Sequence, residues 1–116
     1  MTISRIDVGP RMSQAVVHGN TAYLAGVVAQ DAPGASIADQ TRSILARIDD
    51  LLAQAGTDRS KLLTATIWIT DMRYFAEMNE VWDSWIDPAN PPCRACVEAN
   101  LAATHFNVEI MVVAAV

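Results

Sequence analysis
The chain has 116 residues, of which 52% are hydrophobic and 18% charged, and a net charge of −5; that is the size of one domain, and residues 1–116 are read as one. Its single lysine, Lys61, and its acidic balance argue against a nucleic-acid partner, because backbone binding needs clustered Lys and Arg to neutralise phosphates. No run approaches the ~20 apolar residues that span a bilayer, and Met1 to Asp7 lacks a signal-peptide-like apolar stretch, so no membrane partner and a cytoplasmic protein are expected.

Strand patterns open the chain at Ser4 to Val8 and Ser13 to His18, and Gly19-Asn20 is a turn pair leading into a third strand, Thr21 to Val28. Asp31 to Ala35 reads as a loop, and Ser36 can cap the helix that follows. In that helix Thr41, Ile44, Leu45, Ile48, Leu51, Leu52 and Ala55 recur at helical spacing, and Gly56 supplies the stop. Leu63 to Ile69 is β-branched and aromatic, hence a strand. Thr70 or Asp71 then caps a second helix with Phe75, Met78, Trp82, Trp85 and Ile86 on one side. The prolines of Asp87 to Pro92 end it, and strands follow at about Arg94 to Ala99 and Val108 to Ala115.

The order β-β-β-α-β-α-β-β predicts an α+β fold, a single mixed sheet of about six strands packed on one face by two helices. Two helices cover only one face. Yet the last strand is apolar on both sides, with Val108, Ile110, Val112 and Ala114 on one and Met111, Val113 and Ala115 on the other beside Glu109. Copies of the same chain are the simplest cover for the second face.

The stretch Cys93-Arg-Ala-Cys96 first suggests a redox or metal pair. Side chains three apart on a strand point to opposite faces, so a disulfide would need local distortion. There is no third cysteine, and His18 and His105 lie far off, so no four-ligand zinc set has a recognisable spacing and no metal site is expected. Small, buried, reduced thiols are the plainer reading. Arg94 is the more unusual residue. Alternation puts Arg94, Cys96 and Glu98 on one face and Ala95, Val97 and Ala99 on the other; the second set suits the helix side, so Arg94 is expected on the bare side together with Glu109. The pair could be an interface salt bridge. It could instead be a site, with the planar fork of Arg94 holding a small carboxylate and Glu109 positioning or deprotonating a water. Asn79, on the apolar side of the second helix, could contact a ligand or make a structural hydrogen bond.

Gly9-Pro10, QAVVHGNTAYLAG (Gln14–Gly26), FAEMNEVW (Phe75–Trp82), RACVEANL (Arg94–Leu101) and VEI (Val108–Ile110), with the fifteen positions from Arg94 to Glu109, span nearly the whole chain. On these segments it resembles the Rid family of reactive intermediate deaminases, also called the YjgF family. RMSQAVVHGNTAYLAG, ATIWITDM and VEIMVVAAV are most similar to its YoaB-like branch. The resemblance implies a chorismate-mutase-like fold and a homotrimer with pockets at the subunit interfaces. It implies that Arg94 binds the carboxylate of a 2-imino acid and that Glu109 serves the attacking water. Backbone near Gly26 and Cys96, with the Asn79 side chain, would line the pocket. Water adds to the imine, ammonia leaves and a 2-keto acid remains, with no metal or organic cofactor. Arg11-Met12-Ser13, where the best-known branch has a tyrosine after Gly-Pro, and Ala25, Cys93 and Asn100 depart from the family pattern. The first two departures bear on substrate identity, since they remove hydroxyls that would touch it.

The expected function is therefore hydrolytic deamination of 2-imino or enamine acids by a deaminase-like hydrolase acting on C–N bonds. The alternative is a non-catalytic trimer of the same fold that binds small carboxylates or other proteins. Ribonuclease activity, attached to some relatives, is disfavoured by the acidic charge and by the lack of a paired His or Lys constellation.

Overall fold
The computed structural model describes residues 1–116. The elements are β1 (Ile3–Val8), β2 (Ser13–His18), β3 (Thr21–Leu24), β4 (Val27–Val28), α1 (Ile37–Gln54), β5 (Leu62–Ile69), α2 (Phe75–Trp85), β6 (Cys93–Glu98) and β7 (Val108–Ala115). Short 3-10 turns precede β5 at Arg59–Lys61 and α2 at Met72–Tyr74. The α+β class is as expected. No helix is long and apolar enough to cross a membrane.

The sheet has seven strands in the order β1-β2-β3-β7-β5-β6, with β4 also paired to β7. Only β5 and β6 run parallel. They are joined through α2, the crossover that parallel neighbours require. The Gly19-Asn20 turn forms as predicted, with Gly19 at φ 61°, a left-handed conformation that glycine adopts without penalty.

The third expected strand is broken. Tyr23 pairs with Val113 and Val27 with Ile110, so four steps on one strand oppose three on the other. This is a bulge of one extra residue at Ala25-Gly26. Its effect on facing is direct: Leu24 and Val27, three apart, both point into the core.

Both helices pack on one face, as predicted. Ser36 Oγ accepts from Asp39 N–H and caps α1, and Gly56 at φ 84° follows its end. Ile44, Leu45, Ile48, Leu51 and Leu52 of α1 are buried against Ala65, Ile67 and Ile69 of β5 and Val108, Ile110 and Val112 of β7. Each such aliphatic side chain contributes roughly 1.5–3 kcal/mol when fully buried. Asp71 caps the 3-10 turn rather than α2 itself. Glu77 on α2 accepts from Ala38 N–H of α1 at 2.8 Å, so one helix supplies a cap for the other. The opposite sheet face carries half-buried Val16, Trp68, Glu109, Met111 and Val113 and exposed Tyr23.

The facing of β6 is the reverse of the expectation. Arg94 pairs with Ala65 and Cys96 with Ile67, and both partners are core residues on the helix side. Cys96 packs against the core, while Val97 is exposed and pairs with Trp68 on the open face. The hydrophobicity of Val97 is no guide to the helix side because the open face is apolar too, and there Val97 sits beside Trp68. Arg94 and Glu109 of one chain therefore lie on opposite faces of the sheet.

Candidate functional site
Arg94 sits one residue into β6, just after Pro91 and Pro92. Asp87 folds the preceding turn by accepting from Ala89 N–H and Asn90 Nδ2, at 3.0 and 2.9 Å. The guanidinium lies over two rings of α2, 5.4 Å from the Trp82 centroid and 5.9 Å from that of Phe75. The five ion pairs of the chain involve Arg42, Arg47 (twice), Arg59 and Arg73, so no carboxylate neutralises Arg94.

Phe75, Asn79 and Trp82 are spaced i, i+4, i+7 and share one face of α2. Asn79 lies between the two rings, and its Oδ1 is the one buried side-chain polar atom of the protein without a hydrogen-bond partner. Buried amide oxygens are usually paired, so this one calls for an explanation. Asn79 and Arg94 line one hollow of about 340 Å³, together with Trp82, Asp83, Pro91 and Pro92.

Glu109 occupies the other face. It pairs with Val28 and Trp68 across the sheet. Its carboxylate takes no protein hydrogen bond and packs on Gly26: a Cβ there would overlap Oε2 and lie 3.1 Å from Cδ. The bulge is what sets Gly26 over this carboxylate. Gly26 also lines a larger hollow of about 470 Å³ with Met12, Gln14, Gln30, Ser43 and Arg47. That hollow includes neither Arg94 nor Asn79.

The expected site residues thus form two groups in one chain, Arg94, Asn79 and Cys96 on the helix side and Gly26 with Glu109 on the open side. Cys96 is half-buried, and burial pushes its thiol pKa up, partly offset by the positive charge of Arg94. Both cysteines are free, and Cys93 is exposed rather than buried. Arg11 is exposed on the loop between β1 and β2. The roles of Trp82 and Phe75 around Arg94 were hidden in the sequence, where both rings read as core. The i, i+4, i+7 stripe containing Asn79 was the available signal.

Residues 2–116 match the family described as Endoribonuclease L-PSP. The chain belongs to the RutC/YjgF/Rid family. It is 44% identical over 114 residues to a RutC family protein of Haemophilus influenzae, covering 98% of each chain. It is 42% identical over 116 residues to the RutC family protein YoaB of Escherichia coli, covering 100% of both. Among solved structures, a YjgF family member from Neisseria meningitidis superposes with a TM-score of 0.95 at 41% identity, covering 99% of this chain and 95% of that one. A Rid family protein from Yersinia pestis, YyfA, superposes with a TM-score of 0.88 at 28% identity over 99% of this chain and 100% of that one. This Rid-family chain thus has the YjgF-type, chorismate-mutase-like fold over its full length.

Proposed function
We propose that the protein hydrolyses small 2-imino acids to 2-keto acids and ammonia, with Arg94 of one subunit and Glu109 of another facing a shared crevice. The observation that carries this reading is the Arg94 guanidinium, uncompensated by any carboxylate and set in a hollow beside the unpartnered Oδ1 of Asn79. A cation held free of counter-ions is ready for a ligand carboxylate, which its fork takes in bidentate fashion. Membership of a family that includes imine deaminases supports the same chemistry.

Opposite facing in one chain gives the assembly a functional reason. The open face, with Glu109 amid Trp68, Met111 and Val113, is covered when subunits associate, and the β6 edge of a neighbour brings its Arg94 near it. A homotrimer with three such crevices suits this arrangement.

In the reaction, Arg94 binds the substrate carboxylate and the amide of Asn79 orients the imine. Glu109 takes a proton from water as its oxygen attacks C2, and the C=N π electrons move to nitrogen. The nitrogen of the adduct takes that proton back from Glu109 to give the carbinolamine. The hydroxyl then yields its proton to Glu109, which passes it to nitrogen as the C–N bond breaks, so that ammonia departs and the hydroxyl oxygen becomes the keto oxygen. General-base assistance of this kind supplies roughly 10²–10⁴-fold.

Coupling an amino-acid oxidase to ammonia detection tests the proposal. Imine decay should accelerate with the parent protein, and Arg94→Ala should abolish the acceleration while the oligomer persists. Full activity in Arg94→Ala would refute the anchor. Saturable binding of 2-oxobutanoate with no acceleration would instead support the carboxylate-binding alternative. RNA cleavage is not expected from a chain of net charge −5.

A further inference from the structure
We infer that Trp82, with Phe75 beside it, is a positioning residue that holds the Arg94 guanidinium ready for a carboxylate without occupying its N–H donors. This rests on the proposed role of Arg94 as the carboxylate anchor.

A surface arginine explores many rotamers, and ordering a long side chain costs up to about 2 kcal/mol. Proteins usually offset that cost with a carboxylate partner, which would here compete with the substrate for the same fork. Arg94 has no such partner, and Asp83, the acidic residue lining the same hollow, forms no ion pair with it. Two aromatic rings stand in that place, at 5.4 and 5.9 Å, both inside the ~6 Å range of a cation–π contact. A ring face attracts the cation through its quadrupole but accepts no strong hydrogen bond, so the N–H edge remains for a ligand.

The rings are themselves held. Trp82 is 5% exposed and packs against Trp85 with centroids 5.4 Å apart. Trp85 is anchored by its Nε1–H to Asp49 at 3.0 Å and by Arg59, whose guanidinium lies over its ring at 5.0 Å. Phe75 is 38% exposed and lies outside the buried core, with its ring 5.9 Å from the Arg94 guanidinium. Helical spacing sets the two rings two turns apart with Asn79 between them, so one helix face presents ring, amide and ring to the guanidinium.

The test compares Trp82→Phe, Trp82→Leu, Phe75→Leu and Arg94→Ala by KM, kcat, thermal stability and the Kd of 2-oxobutanoate. Trp82→Leu should raise KM and Kd together by about 3- to 30-fold, with kcat moving less. Trp82→Phe should recover most of that loss, and Phe75→Leu should show a smaller change in the same direction without losing the fold. If Trp82→Leu does not fold, Phe75→Leu still decides. Binding within about twofold of the parent in Phe75→Leu and Trp82→Leu, alongside complete loss in Arg94→Ala, would overturn the positioning role and leave the anchor standing. Equal losses in Trp82→Phe and Trp82→Leu would assign the effect to packing and overturn it too. Undiminished binding in Arg94→Ala would remove the anchor itself, and this inference with it.

Discussion

The Glu109 carboxylate rests on the bare α-carbon of Gly26, in space that any side chain at residue 26 would claim. The contact exists because a one-residue bulge shifts the register between Tyr23 and Val27 against β7. It links a backbone irregularity to the aim of an acid, the kind of use bulges have beside functional sites.

Gly26→Ala should therefore separate folding from function. The atom in the way is the far end of a flexible side chain, so the fold yields easily, with a change in stability of about 1 kcal/mol or less. The carboxylate, however, must swing away. We expect kcat for imine hydrolysis to fall by roughly 10²-fold, within the range of lost general-base assistance, with the melting temperature nearly unchanged. Unaltered kcat in a folded Gly26→Ala protein would show that the Glu109 pose is irrelevant.

Opposite facing of Arg94 and Glu109 predicts complementation between inactive variants. Neither Arg94→Ala nor Glu109→Gln should have activity by itself. Co-refolded at equal amounts, each site drawing its arginine and its glutamate from neighbouring chains, they should recover about one quarter of the parent rate, as random pairing in a closed ring dictates. A same-chain site would recover nothing.

Gln40 ties the loop before β7 to α1 and is fully buried. Its Nε2 donates to Ala35 O at 2.9 Å and Asn107 Oδ1 at 3.2 Å, while its Oε1 accepts from Asn107 N–H at 2.9 Å. Asn107 in turn donates to Thr70 Oγ1 at 2.8 Å. Gln40→Leu strands these groups without water, and each buried unsatisfied group costs about 1–3 kcal/mol. We expect a drop of roughly 2–4 kcal/mol in urea unfolding, measured as a lower midpoint at constant slope.

The two thiols should separate by reactivity. Cys93 is exposed, whereas burial raises the pKa of Cys96 from its ordinary value, partly offset by Arg94, and the thiolate is the reactive form. In the dissociated chain, iodoacetamide at pH 8 should label Cys93 first by peptide mass mapping, with Cys96 following only as the pH rises or the chain unfolds. Association, which covers the open face that carries Cys93, should slow its labelling. The sign for stability follows from the same shift. A raised folded-state pKa favours the native state below the unfolded pKa of the thiol, and that contribution fades as pH climbs through the folded value. Cys96→Ala should accordingly flatten the alkaline limb of the stability curve.

Much of the fold was legible in the residues. The α1 stripe from Ile44 to Leu52, the Ser36 cap and the alternation of β7 depend on neighbours a few positions away, and local spacing alone dictates them. The family motifs around Arg94 and Glu109 were legible for the same reason, as residues in a row. The face of Arg94 was not. It depends on which strand β6 pairs with and in what register, a choice made by β5 and α2 rather than by Cys93 to Glu98, and because both faces of the sheet carry apolar residues the hydrophobicity of Val97 could not tell them apart.

By itself, then, the sequence determined the α+β element order, the helix-facing core and the spacing of Arg94 and Glu109, fifteen positions apart. Only the tertiary structure decided that they face opposite ways, that Gly26 rather than any larger residue sits against Glu109, and that Trp82 and Phe75 stand under Arg94. These are contacts between segments distant along the chain, set by strand register and helix docking, and no local pattern of residues encodes them.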